Sequence, residues 1–123
     1  MNSDLFAVRS ILFLPASNPR AIVKARESKA DFVVLDLEDA VRPEDKAGAR
    51  KAAVEAVASE WPMPVAIRVN GVGSEWHSLD VDSVARATCA FAVLPRATSA
   101  HLVREVREAL DKPVLAMIET PQG

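Results

Sequence analysis

Residues 32–39 read Phe32-Val33-Val34-Leu35-Asp36-Leu37-Glu38-Asp39, a continuous apolar run that ends in three carboxylates. An uninterrupted run of valine and leucine is typical of a strand that is buried on both faces of a parallel sheet. In folds built on such sheets, chemistry gathers at the carboxyl ends of the strands. The stretch therefore predicts a buried parallel strand that delivers acidic side chains to one edge of a sheet.

Four further apolar runs of this kind are separated by longer amphipathic stretches. They lie at residues 11–14, 65–69, 91–94 and 114–118. Apolar residues at helical spacing predict helices at residues 19–28, 43–59, 79–87 and 99–110. Pro19 and Pro43 stand at the start of two of these helices, where proline is well tolerated.

The alternation of five strands with four helices predicts an α/β fold with a parallel sheet and right-handed crossovers. Two architectures have this order of elements: an open, doubly wound sheet of five strands, and part of an eight-stranded barrel. Hydrophobic periodicity is the same in both and does not choose between them. The length of 123 residues favours one domain.

The composition argues against several classes of function. The formal net charge of -2 implies no basic surface for nucleic acid. The longest apolar runs are far shorter than the ~20 residues of a membrane helix, and the N-terminal residues lack the pattern of a signal peptide. Cys89 is the only cysteine, which fits a reducing compartment. We expect a cytoplasmic protein that binds neither nucleic acid nor a membrane.

Charged side chains follow or interrupt the predicted strands at their carboxyl ends. Asp36, Glu38 and Asp39 form either a solvated acidic turn or a group that attracts a divalent cation, a water network or an arginine. Arg68 lies inside the apolar run at residues 65–69, where an unpaired charge is costly. It either forms a structural ion pair with these acids or clamps a substrate carboxylate.

Three further side chains are candidates for binding. Glu119 follows the fifth strand and is interpreted either as a metal ligand or as a partner of Arg68. Arg20 and Lys24 lie one helical turn apart beyond the first strand, and they form either a surface pair or a contact to a phosphate.

Five short motifs span nearly the whole chain. They are Arg-Ser-Ile-Leu-Phe-Leu-Pro at residues 9–15, Asp-Leu-Glu-Asp-Ala-Val at 36–41 with Lys46, Ala49 and Arg50 after it, Ile-Arg-Val-Asn at 67–70, Leu-Pro-Arg at 94–96, and Ile-Glu-Thr at 118–120 with Gly123. In type and order they resemble the citrate lyase β-subunit branch of the HpcH/HpaI aldolase superfamily.

The resemblance implies a (β/α)8 TIM barrel, of which residues 1–123 would be the N-terminal part of a single domain, with about the first five strands and four helices. It also implies a homo-oligomer, a trimer or hexamer of such barrels. The expected activity is Mg²⁺-dependent cleavage of a carbon–carbon bond in a citryl-, malyl- or related acyl-CoA or carboxylate substrate. An oxo-acid and an acetyl-type product would result.

Site roles are carried over from the family residue by residue. Glu119 would be a metal ligand, while Glu38 and Asp39 would hold metal-bound waters with Asp36 nearby. Arg68 would bind the oxo-acid part of the substrate, and Asn70, which ends the same segment, would also belong to the substrate-binding residues. Arg20 and Lys24 match the family pattern more loosely, and by this resemblance they would contact the phosphates of CoA.

The sequence departs from the family pattern in two respects. Arg96 replaces the usual lysine after Leu-Pro, which keeps the charge but changes its geometry. The second metal carboxylate and strands six to eight are expected beyond Gly123. A class II pyruvate-type aldolase, and a non-catalytic half-barrel that self-associates, remain the alternative hypotheses.

The expected metal site generates a prediction about Glu119. Because Mg²⁺ requires several oxygen ligands, we expect the 123-residue polypeptide to bind it only weakly. Titration calorimetry measures this affinity. Micromolar binding that is abolished by Glu119→Gln would contradict the prediction.

Overall fold

The computed structural model describes residues 10–96 and 99–117 as strands and helices in strict alternation. The strands are β1 (Ile11–Pro15), β2 (Phe32–Asp36), β3 (Val65–Arg68), β4 (Phe91–Leu94) and β5 (Val114–Ala116). The α-helices are α1 (Pro19–Arg26), α2 (Lys46–Val57), α3 (His77–Ala85) and α4 (Ala100–Leu110), and a short 3-10 helix (Pro43–Asp45) precedes α2. No helix in the described part of the chain is long and apolar enough to cross a membrane.

The strand order decides between the two architectures that the sequence left open. The five strands lie side by side in the order β1-β2-β3-β4-β5, and every neighbouring pair is parallel. A doubly wound sheet reverses its strand order at a switch point, and this sheet does not. Right-handed crossovers without a reversal place all the helices on one face, which is the winding of a (β/α) barrel.

The two faces of the sheet have different neighbours. The side chains of Val33, Leu35 and Ile67 lie in a core cluster that also contains helix residues such as Ala53 and Val106. Alternate residues on the strands point to the opposite face, which in a barrel is the interior. There a small cluster of Val34, Ala66 and Val93 packs with Phe32 and Phe91, and no helix residue belongs to it.

Local signals account for three of the helix boundaries. The side chain of Asn18 accepts a hydrogen bond from the Ala21 N–H at 3.1 Å and caps α1, as Ser99 does for α4 from the Leu102 N–H at 3.1 Å. Helix α4 ends at Asp111, which adopts the left-handed conformation with φ of 55°.

Two predicted helices differ in detail from the structure. The stretch 43–59 contains a 3-10 helix followed by an α-helix, instead of one continuous helix. Helix α3 lies two residues earlier than the predicted 79–87. It begins early because the Asp80 N–H bonds to the Trp76 carbonyl at 3.0 Å, and its last turn tightens through a bond from the Arg86 N–H to the Ser83 carbonyl at 3.2 Å.

The interior face of the sheet is partly open among the described residues. Ile11, Phe13 and Leu115 lie on this face by register, and they are 44%, 43% and 49% exposed. Strands β1 and β5 each pair on one side only within the described residues. Unpaired strand edges beside exposed apolar side chains favour association with another polypeptide.

This open face generates a prediction about the 123-residue polypeptide produced by itself. We expect it to associate, because association would cover the edges and the interior face. Size-exclusion chromatography with light scattering gives the mass in solution. A stable, monodisperse species of 13.3 kDa would show that the exposed face needs no partner.

Candidate active site

The candidate site is built around Asp36, the last residue of β2. This carboxylate is almost completely buried and accepts four hydrogen bonds. Two come from the backbone N–H groups of Glu38 at 2.9 Å and Ala40 at 3.0 Å. The other two come from Arg68, whose Nε and Nη2 each lie 2.8 Å from one oxygen. Asp36 therefore joins two neighbouring strands to the turn that follows β2.

Arg68 reaches Asp36 because the two residues are register partners at the ends of β3 and β2. Their side chains lie on the interior face, and the planar guanidinium meets the carboxylate with two parallel bonds. Its Nη1 points away from Asp36 and donates to the Met117 sulfur at 3.5 Å. The guanidinium carbon also lies 5.3 Å from the centre of the Phe13 ring.

The electrostatics of this pair favour its charged form. Burial of Asp36 raises its pKa, but hydrogen bonds from Arg68 and from two backbone N–H groups outweigh that effect, so the pKa lies below its ordinary value. The hydrogen bond to Asp36 raises the pKa of Arg68, despite the opposing effect of burial. Both groups therefore stay charged at neutral pH.

Glu38 and Asp39 face a second arginine. Arg96, from the end of β4, contacts the Glu38 carboxylate and lies 3.2 Å from Asp39 through Nη2. Arg68 is a more distant neighbour of Glu38, with its Nε 3.9 Å from Oε1. Burial and the adjacent Asp39 charge raise the pKa of Glu38, while the two arginines oppose this shift in part.

Two cavities open on this edge of the sheet. An interior cavity of about 450 Å³ is lined by residues that include Phe13, Asp36, Arg68 and Met117. A second, outer cleft of about 610 Å³ lies among the loops after β2, β3 and β4. Residues that line it include Glu38, Asp39, Lys46, Trp76 and Arg96. The acidic turn separates the two spaces and contributes Asp39 to both.

A buried polar network beneath the turn was not identified from the sequence. Lys46 donates to the Asn70 side-chain oxygen at 2.7 Å, and Asn70 donates to Asp80 at 2.6 Å. Asp80 completes the network by accepting a bond from Arg50 at 2.9 Å. The spacing of Lys46 and Arg50, one helical turn apart, was the available signal. Nothing local identified Asp80 as their partner.

The remaining predicted residues lie in three different settings. Asn70 is buried, and its amide is bonded to Lys46, Asp80 and the Leu37 carbonyl. Arg20 and Lys24 are exposed on α1, with no ion pair to a described residue. Glu119 lies outside the described residues, so its interpretation as a metal ligand stays a prediction.

The oxygen ligands of the site suit a hard cation, although the described residues do not form a complete metal site. Glu38 and Asp39 supply carboxylate oxygens of the type that Mg²⁺ prefers. Within residues 10–96 and 99–117, however, no three His, Cys, Asp or Glu side chains are arranged to hold a metal. Both acids instead contact Arg96. A complete metal site requires at least one further ligand, the role expected for Glu119.

Comparisons with known proteins agree with the motifs and the fold. A family model described as HpcH/HpaI aldolase/citrate lyase matches residues 9–122. A (3S)-malyl-CoA thioesterase from Cereibacter sphaeroides is 36% identical over 119 residues, which cover 94% of this chain and 41% of that protein. A citrate lyase subunit beta from Haemophilus influenzae is 34% identical, with coverage of 94% and 44%.

A solved structure gives the same result for the fold. The citrate lyase beta subunit from Mycobacterium tuberculosis, complexed with oxaloacetate and magnesium, has a TM-score of 0.80 and 33% sequence identity. The match covers 100% of this chain and 52% of that chain. The chain thus spans about half the length of that subunit, and somewhat less of the two relatives.

The ion pair at the centre of the site generates a prediction about stability. In the natural polypeptide that carries this sequence, Asp36→Asn is expected to lower the free energy of unfolding by about 3 kcal/mol, because Arg68 loses its buried carboxylate. Urea unfolding at neutral pH measures the change. Asp82→Asn is the matched control, since Asp82 pairs with Arg86 on the surface, and we expect little effect from it.

The pH dependence of this difference follows from the pKa of Asp36, which is lower in the folded state than its ordinary value of 3.8. The stabilisation is complete above the ordinary value and is lost as the pH falls through the lower, folded pKa. The advantage of wild type over Asp36→Asn should therefore shrink in strong acid. A difference that stays constant through the acid titration would contradict this assignment.

Proposed function

Because this chain belongs to the HpcH/HpaI aldolase/citrate lyase family, we propose that its protein is a Mg²⁺-dependent carbon–carbon lyase. Its substrate would be a citryl-, malyl- or related acyl-CoA or carboxylate, and its products an oxo-acid and an acetyl-type compound. Residues 1–123 would be the N-terminal part of a single barrel domain. Support comes from relatives named citrate lyase subunit beta and (3S)-malyl-CoA thioesterase, and from the solved complex with oxaloacetate and magnesium.

The observation that carries the proposal is the geometry of Arg68. Its Nε and Nη2 are occupied by Asp36, so the side chain is held in one orientation at the carboxyl end of the sheet. Nη1 faces the interior cavity, where its described contact is the weak acceptor sulfur of Met117. A guanidinium fixed in this way is suited to anchor the carboxylate or carbonyl oxygen of an oxo-acid.

In this proposal the acidic residues divide into two roles. Asp36 orients Arg68, and its carboxylate already accepts four hydrogen bonds from the protein, so it is not available to a substrate. Glu38 and Asp39 stand at the border of the cavities and would hold metal-bound waters, while Glu119 would bind the metal directly. When bound, Mg²⁺ supplies Lewis-acid stabilisation of negative charge on a substrate oxygen.

The CoA part of a thioester would need cations outside the interior cavity. Arg20 and Lys24 are exposed one turn apart on α1, which follows β1 at the same edge of the sheet; Arg20 lies in the first turn of the helix and Lys24 in the last. We propose that they contact the phosphates of CoA. Asn70 was also predicted to bind the substrate, but its side-chain amide is buried and bonded within the protein, so in this proposal it supports the site without touching the substrate.

Thioester hydrolysis is the second candidate activity. The observation that favours it is the 36% identity to a (3S)-malyl-CoA thioesterase over 94% of this chain. Both activities would use the same anchor for the acidic end of the substrate. They differ in whether a carbon–carbon bond or the thioester bond breaks.

Product analysis separates the two activities and tests the anchor. With malyl-CoA and Mg²⁺, the lyase releases an oxo-acid and leaves the thioester intact, whereas the thioesterase releases free CoA thiol. Arg68→Lys is expected to lower kcat/KM by about a hundredfold for either reaction, since an ammonium cannot keep both bonds to Asp36 and the fixed position of the anchor.

Arg86→Lys is the control for this substitution, because Arg86 is an exposed arginine at the C-terminal cap of α3 that pairs with Asp82. We expect it to retain wild-type kinetics. An Arg68→Lys variant with unchanged kcat/KM would remove Arg68 from the site. Wild-type protein that cleaves neither bond in citryl-CoA or malyl-CoA would refute the proposed function.

A further inference from the structure

Lys46, the first residue of α2, has no role in the proposed chemistry, yet its ammonium group is buried. The residue is 6% exposed. Its Nζ donates to three oxygens: the Leu37 carbonyl at 3.0 Å, the Glu38 carbonyl at 2.8 Å and the Asn70 side chain at 2.7 Å. An ammonium has three donors, so all of them are used. Lys46 therefore has no proton donor left for a substrate.

Two of these acceptors belong to the acidic turn itself. The Asp36 carboxylate accepts hydrogen bonds from two N–H groups of the turn, those of Glu38 and Ala40. The Lys46 ammonium donates hydrogen bonds to two carbonyls of the same turn, those of Leu37 and Glu38. The Leu37–Glu38 peptide group is thus held at both its carbonyl and its N–H, and the next peptide group is held at the Glu38 carbonyl. These bonds restrict rotation of the backbone that carries Glu38 and Asp39.

The third acceptor is held by a chain of further contacts. Asp80 accepts bonds from both the backbone N–H of Asn70 at 2.8 Å and its side-chain amide at 2.6 Å. These contacts turn the amide nitrogen towards Asp80 and leave the amide oxygen facing Lys46. Arg50 fixes Asp80 in turn, through a bond of 2.9 Å. The orientation of Asn70 is therefore set from α2 and α3.

Trp76 packs over the ammonium at the wall of the outer cleft. The Nζ of Lys46 lies 4.9 Å from the centre of the indole ring, and both residues line the cleft. The ring face adds a cation–π contact and limits the access of water. Exclusion of water strengthens the bonds from Lys46 to the turn, because no solvent competes for the carbonyls.

We propose that Lys46 is a positioning residue, which sets the placement of the Glu38 and Asp39 carboxylates by clamping the carbonyls of the turn. The importance of those carboxylates rests on the proposed function, whereas the hydrogen bonds from Lys46 to the turn do not depend on it. Burying a cation is costly unless it is fully hydrogen-bonded. Three acceptors that converge on one atom suit the compact ammonium of lysine and not the planar fork of arginine.

The test uses Lys46→Met in the natural polypeptide that carries this sequence. Methionine keeps an unbranched side chain but has no donor. We expect hydrogen exchange at the backbone amides of residues 36–41 to become about tenfold faster, because the turn loses charge-assisted bonds. Exchange in β4 should stay as in wild type. Mass spectrometry of peptides from the two segments gives both rates.

Kinetics supply the second measurement. Displaced carboxylates should lower kcat by at least about tenfold, while KM for the thioester changes less than about twofold, since Arg68 still anchors the substrate. Lys46→Arg should behave like Lys46→Met, because a guanidinium does not reproduce the three converging bonds. Lys51→Met is the matched control: Lys51 is exposed on the same helix, and wild-type exchange and kinetics are expected.

The outcomes are distinct. Unchanged exchange at residues 36–41 in folded Lys46→Met overturns the proposal, and so does an acceleration that is equal in β4. If Lys46→Met does not fold, Lys46→Arg keeps the charge but not the three converging bonds, and the same two results decide. If the wild-type protein has neither lyase nor thioesterase activity, the proposed function is refuted. The clamp is still tested, because the exchange measurement needs no substrate.

Discussion

The bidentate ion pair between Asp36 and Arg68 is the interaction on which the rest of the site depends. Both residues stand at strand ends that are neighbours in register, so the pair ties β2 to β3 at the edge where they stop. The same carboxylate accepts two N–H groups of the following turn. Without it, the turn would lose two of its hydrogen bonds, and the buried charge of Arg68 would lose its bidentate partner.

The winding of the sheet explains why this edge becomes a site. Sequential parallel strands place the helices on one face, so the opposite face is left for side chains from the strands alone. That face is apolar through Val34 and Ala66 and becomes polar at Asp36 and Arg68. The change from apolar to charged occurs within one strand length, and it sets the depth at which an anionic substrate would be held.

Much of this fold could be predicted from the sequence. The five strands follow from apolar runs, and the family resemblance that was drawn from motifs such as residues 36–41 is confirmed. The choice between an open sheet and a barrel depended on the order of the strands in the sheet. Hydrophobic periodicity does not contain this information, because it describes each element separately. The Asp36–Arg68 pair was one of two readings of Arg68, whereas the network through Asp80 required tertiary structure, since Asp80 lies 34 positions after Lys46.

The pKa shifts of Asp36 and Glu38 go in opposite directions, although the residues are two positions apart. Burial raises the pKa of both, but only Asp36 accepts enough hydrogen bonds to reverse that effect. Asp36 is therefore an anion at neutral pH, suited to orient a cation. Burial and the negative charge of Asp39 raise the pKa of Glu38, and the neighbouring arginines oppose this shift only in part. The two carboxylates, two positions apart, thus differ in acidity and in partner, because Asp36 orients Arg68 whereas Glu38 faces Arg96. A turn whose backbone is held in place keeps these two settings distinct.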